Sequence, residues 1–542
     1  MASADSLEGS EDARKNLAKM LPPEENTFTV SEVRIPMPDG IELAGSLYQP
    51  ELAASIKPHG LLYVLGPYGR KGVMSVLNAE CFAAHGYTVL FVSCRGTAGS
   101  GGTFVAAMSE QADSQVVVKW MREQPWYPGK FATFGPSYLG YVQWALLRDP
   151  PKDLIASAIL CSVYDHSLLA WTNGAYRMDR ISWSYIVARQ DDIKGGLSSI
   201  IDLRKMKAVL DATPIHDAAE RFFEGRASYA LDFMATPNVG DDFWLRCKHH
   251  AALDLVNVPL LLRSGWYDTL TKQTMAAYRR VRDRGLKVYL TIGPWTHTEA
   301  CGSSSIPEVL EFLDEYVAGR KKDHRPVPVK VFVTGVDEWR SLQSWPPATE
   351  DRVFYLHGDK TLRSNAIATD SPPLSFTYDP QNPTPTVGGP RMARGGRVDD
   401  SAYASRSDVL VYTSDPLTED MEVMGEPIVQ LAHSTDVPYA DLWVRLSEVD
   451  TNGVSHNLTE TWQALDDWER QEGQVSLTLT DRAHAFKKGT CIRVIVAGGS
   501  FPLFARNPGT GVNRTQAAEL KAVKHTILHG AGLSKLILPC SA

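Results

Sequence analysis

Three side chains of this 542-residue sequence have the types and the chain order that acyl transfer by a serine requires. Ser137 stands between an apolar run and a helical pattern, and Asp268 and His297 each follow a later apolar run. A serine hydroxyl needs a base that accepts its proton and a carboxylate that orients the base, and the order Ser, acid, His is one known arrangement. We therefore predict Ser137 as nucleophile, His297 as base and Asp268 as the partner of His297.

The turn around Ser137 is a variant of the strand-turn-helix pattern G-x-S-x-G, which exposes a serine hydroxyl. Gly135 is in place, but the second glycine, Gly140, comes one position later than the pattern asks. By itself this segment fits a plain turn as well as a nucleophile. Likewise, Asp268 alone could cap a turn and His297 could be an ordinary loop histidine. The agreement of all three strand-end positions favours the catalytic interpretation.

Further residues are predicted to surround the reacting atoms. A tetrahedral intermediate needs hydrogen-bond donors for its oxyanion, and the backbone N–H of Tyr138, directly after the nucleophile, is the expected first donor. The phenol of Tyr68, in the loop that follows an earlier apolar run, is a second candidate, with simple packing as its alternative role. We expect Trp171, Trp183 and Trp266 to line an apolar substrate pocket.

A chain of 542 residues is long enough for two to four domains. The elements that must position these residues alternate along the first 300 or so positions. A hairpin is predicted at 28–35 and 41–47. Short apolar strands are interleaved with helical stretches, which is typical of a parallel α/β sheet covered on both faces; they lie at 61–65, 89–93, 131–134, 156–161, 258–263 and 288–292.

The rest of the chain divides into two further regions. Residues 165–245 interrupt the strand pattern with helical, aromatic-rich sequence, which predicts an inserted cap. After about residue 325, strand-like runs spaced by Gly, Pro, Asp and Asn predict an all-β sandwich or jelly roll. The predicted domains are a first α/β segment (1–164), a helical cap (165–245), a second α/β segment (246–324) and a β domain (325–542).

Taken together, the motifs resemble those of the CocE/NonD family of serine hydrolases over most of the chain. The resemblance implies an α/β-hydrolase fold with an inserted helical cap and a C-terminal jelly roll. It also implies Ser137, Asp268 and His297 as the catalytic set, with Tyr68 and the Tyr138 amide as the oxyanion hole. The matching segments are Pro67-Tyr68, Arg95-Gly96 with Ser100-Gly101, Gly135-x-Ser137-Tyr138-x-Gly140, Gly265-Trp266-Tyr267-Asp268, Gly293-Pro294-Trp295-x-His297 and Arg506-Asn507-Pro508-x-Thr510-Gly511. Two positions depart from the family pattern: Ser93 replaces an Asp, and Thr269 replaces a Gly.

Composition and missing motifs exclude other classes of function. The net charge of −8 and the absence of a basic block argue against nucleic acid as a partner. No apolar run approaches the roughly 20 residues of a membrane helix, and the polar N-terminus lacks a signal-peptide core, so we expect a cytoplasmic protein without a membrane partner. The seven cysteines show no C-x-x-C spacing, which predicts free, mostly buried thiols and no metal site. The expected chemistry needs no cofactor.

The leading hypothesis is hydrolysis of an ester of a bulky, largely apolar small molecule through an acyl-enzyme. The same residues would also serve a thioester or amide substrate, as an amide acylase, an X-Pro dipeptidyl-peptidase or an acyltransferase. A peptidase that binds a free amino terminus needs an acidic anchor, for which the candidates are Asp165, Asp179 and the pair Asp191-Asp192. A non-catalytic binding or scaffold protein is the alternative of another class. An exposed apolar patch could also support a homodimer.

Overall fold

The computed structural model describes residues 9–190, 203–320, 325–366, 371–392, 394–465 and 472–541. They belong to two compact units. The N-terminal unit is drawn from Met1–His166, Trp183–Asp202 and Asp242–Val329, and the C-terminal unit from Ser167–Ser182, Leu203–Asp241 and Lys330–Ala542. The predicted four-segment division into domains stays a prediction.

A mainly parallel sheet organises the N-terminal unit. The strands of this sheet that lie within the unit are β1 (Phe28–Pro36), β2 (Glu42–Pro50), β3 (Leu61–Gly66), β4 (Thr88–Ser93), β5 (Phe131–Pro136), β6 (Leu154–Leu160), β7 (Leu260–Tyr267) and β8 (Val288–Thr296). They lie in the order β1-β2-β4-β3-β5-β6-β7-β8. The first two form an antiparallel hairpin, and β3 to β8 run parallel to their neighbours. Every residue of β3 and β4 is buried, as expected when helices cover both faces. The predicted hairpin and parallel sheet are confirmed.

The helices of this unit follow the strands, and most of them match the periodic stretches of the sequence. An additional helix near the start, Ser10–Met20, was missed; its Ala13 and Leu17 are buried in the core. The other helical segments are Val73–Ser75, Val76–Glu80, Cys81–Ala84, Glu110–Arg122, Tyr138–Leu146, His250–Leu255, Thr271–Asp283, His297–Cys301, Ser303–Ser305 and Ile306–Tyr316. Among the helices that the structure describes, none has the length and apolar character to cross a membrane.

The chain between β6 and β7 is mostly helical, as predicted for the insertion. A two-stranded pair, Trp171–Thr172 with Ala175–Tyr176, is its only described sheet element. The helical segments are His166–Ala170, Asp179–Arg189, Leu203–Asp211, Ile215–Phe223, Ser228–Ala235 and Asp242–Cys247.

A 13-stranded sheet dominates the C-terminal unit. Its strands are Thr349–Leu356, Thr361–Arg363, Leu374–Tyr378, Val409–Ser414, Met421–Gly425, Ile428–Thr435, Asp441–Val449, Ser455–Ala464, Glu472–Thr478, Arg482–Phe486, Cys491–Ala497, Val523–Leu528 and Lys535–Ser541. Two short strands precede them, Val329–Val333 and Glu338–Leu342. Apart from the parallel pair Thr361–Arg363 with Val409–Ser414, the described pairings are antiparallel. The predicted all-β jelly-roll class is confirmed.

Part of the motif at 506–511 joins the β strands of this unit to its helices. The Arg506 guanidinium donates to the carbonyls of Asp211 (3.0 Å) and Ala212 (2.7 Å) and to the hydroxyl of Thr213 (2.8 Å). Carbonyl groups at the C-terminal end of a helix receive no hydrogen bond from within the helix. Arg506 donates to such carbonyls at the end of the helix Leu203–Asp211.

The neighbouring Asn507 belongs to a buried charged cluster. Both carboxylate oxygens of Asp441 accept hydrogen bonds from the Arg514 guanidinium, at 2.7 and 3.1 Å. Oδ1 also accepts a hydrogen bond from the Asn507 side-chain amide at 2.8 Å. Asp441 and Arg514 are 1% and 5% exposed. A buried pair of this kind is costly to break from one side, because the remaining charge is left without compensation.

The Asp441→Asn substitution should therefore destabilise the C-terminal unit by about 3–5 kcal/mol, the usual cost of stranding one member of a buried ion pair. Hydrogen-exchange mass spectrometry should show faster exchange in peptides that span Asp441–Val449. The control is Asp359→Asn, because Asp359 pairs with Arg363 at the surface and such pairs contribute less than about 1 kcal/mol. Equal exchange in both variants would contradict a stabilising role for the cluster.

Candidate active site

Ser137 occupies a sharp turn between β5 and the helix Tyr138–Leu146. Its backbone adopts φ 57° and ψ −123°, a strained conformation for a residue with a side chain. The turn is held from both sides: the Ser137 N–H donates to the Leu160 carbonyl at 2.8 Å, and its own carbonyl accepts from the N–H groups of Gly140 and Tyr141. The hydroxyl is thus fixed at the carboxyl end of a central parallel strand.

Two glycines let the helix pack closely behind this turn. A Cβ atom on Gly135 would lie 2.4 Å from Cβ of Leu139, and one on Gly140 would lie 2.6 Å from Cβ of Ser162. Both separations are shorter than carbon atoms tolerate without movement of the backbone. The second glycine comes one position later than the generic pattern because in this protein position 140, on the helix, faces Ser162.

The structure brings the three predicted side chains into one hydrogen-bonded chain. His297 Nε2 lies 3.0 Å from Ser137 Oγ, and His297 Nδ1 lies 2.7 Å from Asp268 Oδ1. The residues reach this arrangement because β5, β7 and β8 are parallel, so their carboxyl ends share one edge of the sheet. The geometry suits proton transfer from the hydroxyl to the imidazole.

Asp268 is fully buried and well supplied with donors. Ser264 Oγ donates to its Oδ2 at 2.7 Å, and the Leu270 N–H donates to its Oδ1 at 3.1 Å. Burial by itself raises the pKa of a carboxyl group, but the charge of His297 and these hydrogen bonds hold the pKa of Asp268 below its usual value. An ionised Asp268 accepts the Nδ1 hydrogen, which leaves Nε2 as the acceptor for Ser137.

Cys301 is a neighbour that the sequence analysis missed. Its Sγ lies 3.9 Å from His297 Nε2, because positions 297 and 301 share one face of the short helix His297–Cys301. Burial alone lowers the pKa of His297, but the negative charges of Cys301 and Asp268 raise it well above the usual histidine value. The spacing His-x-x-x-Cys directly after a strand was the available signal.

The two predicted oxyanion residues meet at Trp183. The indole ring of Trp183 stacks on the ring of Tyr138, with centroids 5.4 Å apart, and its N–H donates to the Tyr68 hydroxyl at 3.0 Å. An indole N–H can only donate, so Tyr68 uses an oxygen lone pair in this contact and not its hydrogen. Trp183 therefore contacts both tyrosines.

The ring of Tyr138 is anchored at its other end as well. Its hydroxyl donates to the buried carboxylate of Glu110 and accepts from the Ala107 N–H at 2.6 Å. Burial raises the pKa of Glu110 to about 7, against the lowering effect of the Tyr138 hydrogen bond. These contacts fix the residue whose backbone N–H follows the serine.

Comparison with known proteins supplies the family. Residues 39–299 match the model of the X-Pro dipeptidyl-peptidase S15 family, and residues 322–537 match the X-Pro dipeptidyl-peptidase C-terminal non-catalytic domain. The cocaine esterase of Rhodococcus sp. (strain MB1 Bresler) is 27% identical, and the alignment covers 95% of this chain and 99% of that protein. The chain is a CocE/NonD-like serine hydrolase.

Solved structures share the fold of this CocE/NonD-like hydrolase. An aminopeptidase from a marine sediment archaeon, Thaumarchaeota archaeon, superposes with a TM-score of 0.82 at 22% identity, covering 96% of this chain and 97% of its own. An α-amino-acid ester hydrolase superposes with a TM-score of 0.81 at 21% identity, covering 96% and 98%. These structures confirm the predicted fold, and the family and enzyme class are confirmed by the sequence matches.

The remaining predicted pocket residues of the hydrolase are buried in different surroundings. Trp266 is 4% exposed within β7. Trp171 belongs to the C-terminal unit, where it is 2% exposed and its indole N–H donates to the Phe233 carbonyl at 2.7 Å. Substrate contacts for Trp171, Trp183 and Trp266 stay a prediction.

The acidic candidates for an amino-terminus anchor have other partners in the hydrolase. Asp165 is buried and lies 2.6 Å from His250 Nε2. Asp179 is bound by Arg177 at 2.7 Å and Arg180 at 3.0 Å, which hold its pKa below the usual value despite burial. The pair Asp191-Asp192 lies outside the described residues.

Hydrolysis that depends on a neutral His297 should weaken as the pH falls through the raised pKa of this residue, above the usual value of about 6.5. Replacing Cys301 by Ser removes a negative charge that favours the imidazolium, so the pKa of His297 should fall. The acid limb of the pH profile of kcat/KM for an aryl ester should then move to lower pH. Cys491→Ser, which changes a thiol outside the site, should leave the acid limb at the same pH. If the acid limb of Cys301→Ser stayed at the same pH or moved to higher pH, the effect of Cys301 on the pKa of His297 would be contradicted.

Proposed function

We propose that this CocE/NonD-like hydrolase cleaves an ester of a bulky, largely apolar small molecule through an acyl-enzyme on Ser137. The observation that carries the proposal is the chain Ser137–His297–Asp268, with separations of 3.0 and 2.7 Å between its polar atoms. An ionised, buried carboxylate at one end and a strained serine at the other are what nucleophilic acyl transfer requires.

The reaction proceeds in two halves. His297 Nε2 takes the proton of Ser137 Oγ while Oγ bonds to the ester carbonyl carbon, and Asp268 stabilises the imidazolium that forms. Collapse of the tetrahedral intermediate breaks the bond to the alkoxy group, which leaves as an alcohol with the proton from His297. Water then attacks the acyl-enzyme and gives one proton to His297. When the second tetrahedral intermediate breaks its bond to Ser137 Oγ, His297 returns this proton to Oγ and the carboxylic acid is released.

The oxyanion is stabilised from two directions in this proposal. Tyr138 is the first residue of its helix, so its backbone N–H has no acceptor within that helix and lies at the positive end of the helix dipole. The Tyr68 hydroxyl is the proposed second donor, and Trp183 donates to its oxygen at 3.0 Å. Fixed donors of this kind stabilise charge that develops in the transition state.

Ester hydrolysis is favoured over cleavage after an amino-terminal X-Pro pair. Recognition of an ammonium group needs a carboxylate whose charge is not already neutralised by other cations. Asp179 forms ion pairs with two guanidinium groups, those of Arg177 and Arg180. Asp165 lies against His250. The related cocaine esterase carries an ester substrate in its name and aligns over nearly all its length. Thioester or amide cleavage and transfer of the acyl group to another acceptor use the same acyl-enzyme.

The Ser137→Ala variant should lose about 10⁴- to 10⁶-fold in kcat for an aryl ester, because no other group in the proposal attacks the carbonyl. Intact-mass spectrometry after brief mixing with a panel of esters should detect the added acyl group on the native enzyme and not on the variant.

The matched control is Ser109→Ala, since Ser109 precedes the helix Glu110–Arg122 without a side-chain cap hydrogen bond. It should keep both turnover and acylation. Undiminished turnover by Ser137→Ala would exclude the assignment. Cleavage of an alanyl-prolyl anilide faster than the aryl esters would instead favour the peptidase.

Removal of the Tyr68 hydroxyl tests the oxyanion hole. Tyr68→Phe should lower kcat about 10²- to 10³-fold with little change in KM, because the lost donor acts mainly in the transition state. Tyr127→Phe is the control, since the Tyr127 hydroxyl donates to Asp153 instead. If the two phenylalanine variants had the same kcat, Tyr68 would be a packing residue.

A further inference from the structure

Two thiols and an imidazole converge beside the proposed nucleophile. The ligand atoms of Cys161, His297 and Cys301 all lie within 4.8 Å of one another, and Cys301 Sγ is 3.9 Å from His297 Nε2. Cys161 directly follows β6 and is fully buried, whereas Cys301 is partly exposed. We name these three residues the thiol–imidazole cluster.

Zinc and cadmium ions prefer this donor set. Thiolate sulfur and imidazole nitrogen are their common ligands, at about 2.3 and 2.0 Å from a zinc ion. Tetrahedral geometry at those bond lengths separates ligand atoms by about 3.5–3.8 Å. The cluster therefore needs movements of no more than about an ångström to enclose an ion.

The cluster also has the outer contact that histidine ligands usually have. A metal-bound imidazole commonly donates its other ring N–H to a carboxylate, and His297 Nδ1 lies 2.7 Å from Asp268 Oδ1. This bond occupies Nδ1 and leaves Nε2, which lies 3.9 Å from Cys301 Sγ, as the ring nitrogen for a cation.

We propose that Cys161, Cys301 and His297 Nε2 bind a single thiophilic divalent cation, Zn²⁺ or Cd²⁺, which reversibly inhibits the enzyme. The three ligands leave a fourth position to water. Binding releases every proton that the two sulfur atoms and His297 Nε2 carry, because the sulfurs bind as thiolates and Nε2 binds through its lone pair.

Inhibition follows from the single lone pair of Nε2. This lone pair either accepts the Ser137 proton or binds the cation, so the two events exclude each other. The inhibitory effect rests on the proposed role of His297 in hydrolysis, whereas binding of the cation depends only on the three ligands. The two parts can be tested separately.

Cadmium is the probe, because cadmium thiolates absorb in the ultraviolet. Titration of the metal-free protein, kept reduced by a phosphine, should produce this absorption and loss of aryl-ester hydrolysis in parallel, both complete at one equivalent. A chelator should reverse both. The Ser137→Ala variant should show the same absorption, because Ser137 is not a ligand; that result would support the site even if the proposed function failed.

Removal of either thiol should weaken the site. Cys301→Ser and Cys161→Ser should each lose most of the absorption and need at least about tenfold more cadmium to bind, since even outer-shell changes reach tenfold. Cys491→Ser, with a thiol outside the cluster, should behave as the native protein. Undiminished absorption in both cluster variants would overturn the proposed site. Native absorption without loss of hydrolysis would overturn the inhibition.

Discussion

A buried carboxylate that must stay charged governs the arrangement of this active site. Asp268 is buried, and its charge is tolerated because Ser264, the Leu270 N–H and His297 donate to it. The imidazole is thereby held in one orientation and one tautomer. Its Nε2 faces Ser137 on one side and Cys301 on the other, so proton transfer and cation binding depend on the same nitrogen.

The opposite side of the nucleophile depends on aromatic packing. Trp183 stacks on Tyr138 and donates to Tyr68, so one side chain fixes both proposed oxyanion donors. An indole predicted to contact substrate is thus also in contact with both residues of the proposed oxyanion hole.

Much of the fold was accessible from the sequence, and one missed strand of the β domain shows what a local pattern does not contain. Strands with continuous apolar runs, such as β3 and β4, were predicted within one residue because both of their faces are buried. The strand Ser455–Ala464 was missed because it reads as polar. Its Glu460 is buried against Arg445, which is itself fully buried, and no local pattern shows that two charges from different strands will compensate each other.

The sequence by itself determined the order Ser137, Asp268, His297, because each residue directly follows a strand and parallel strands end at one edge. It also determined the family, through short motifs that need no knowledge of distance. Only the tertiary structure decided that position 140, on the helix, faces Ser162 and that Cys161 meets Cys301. Those contacts join segments that follow different strands of the sheet. Their proximity depends on the order and register of the strands, which spacing along the chain does not encode.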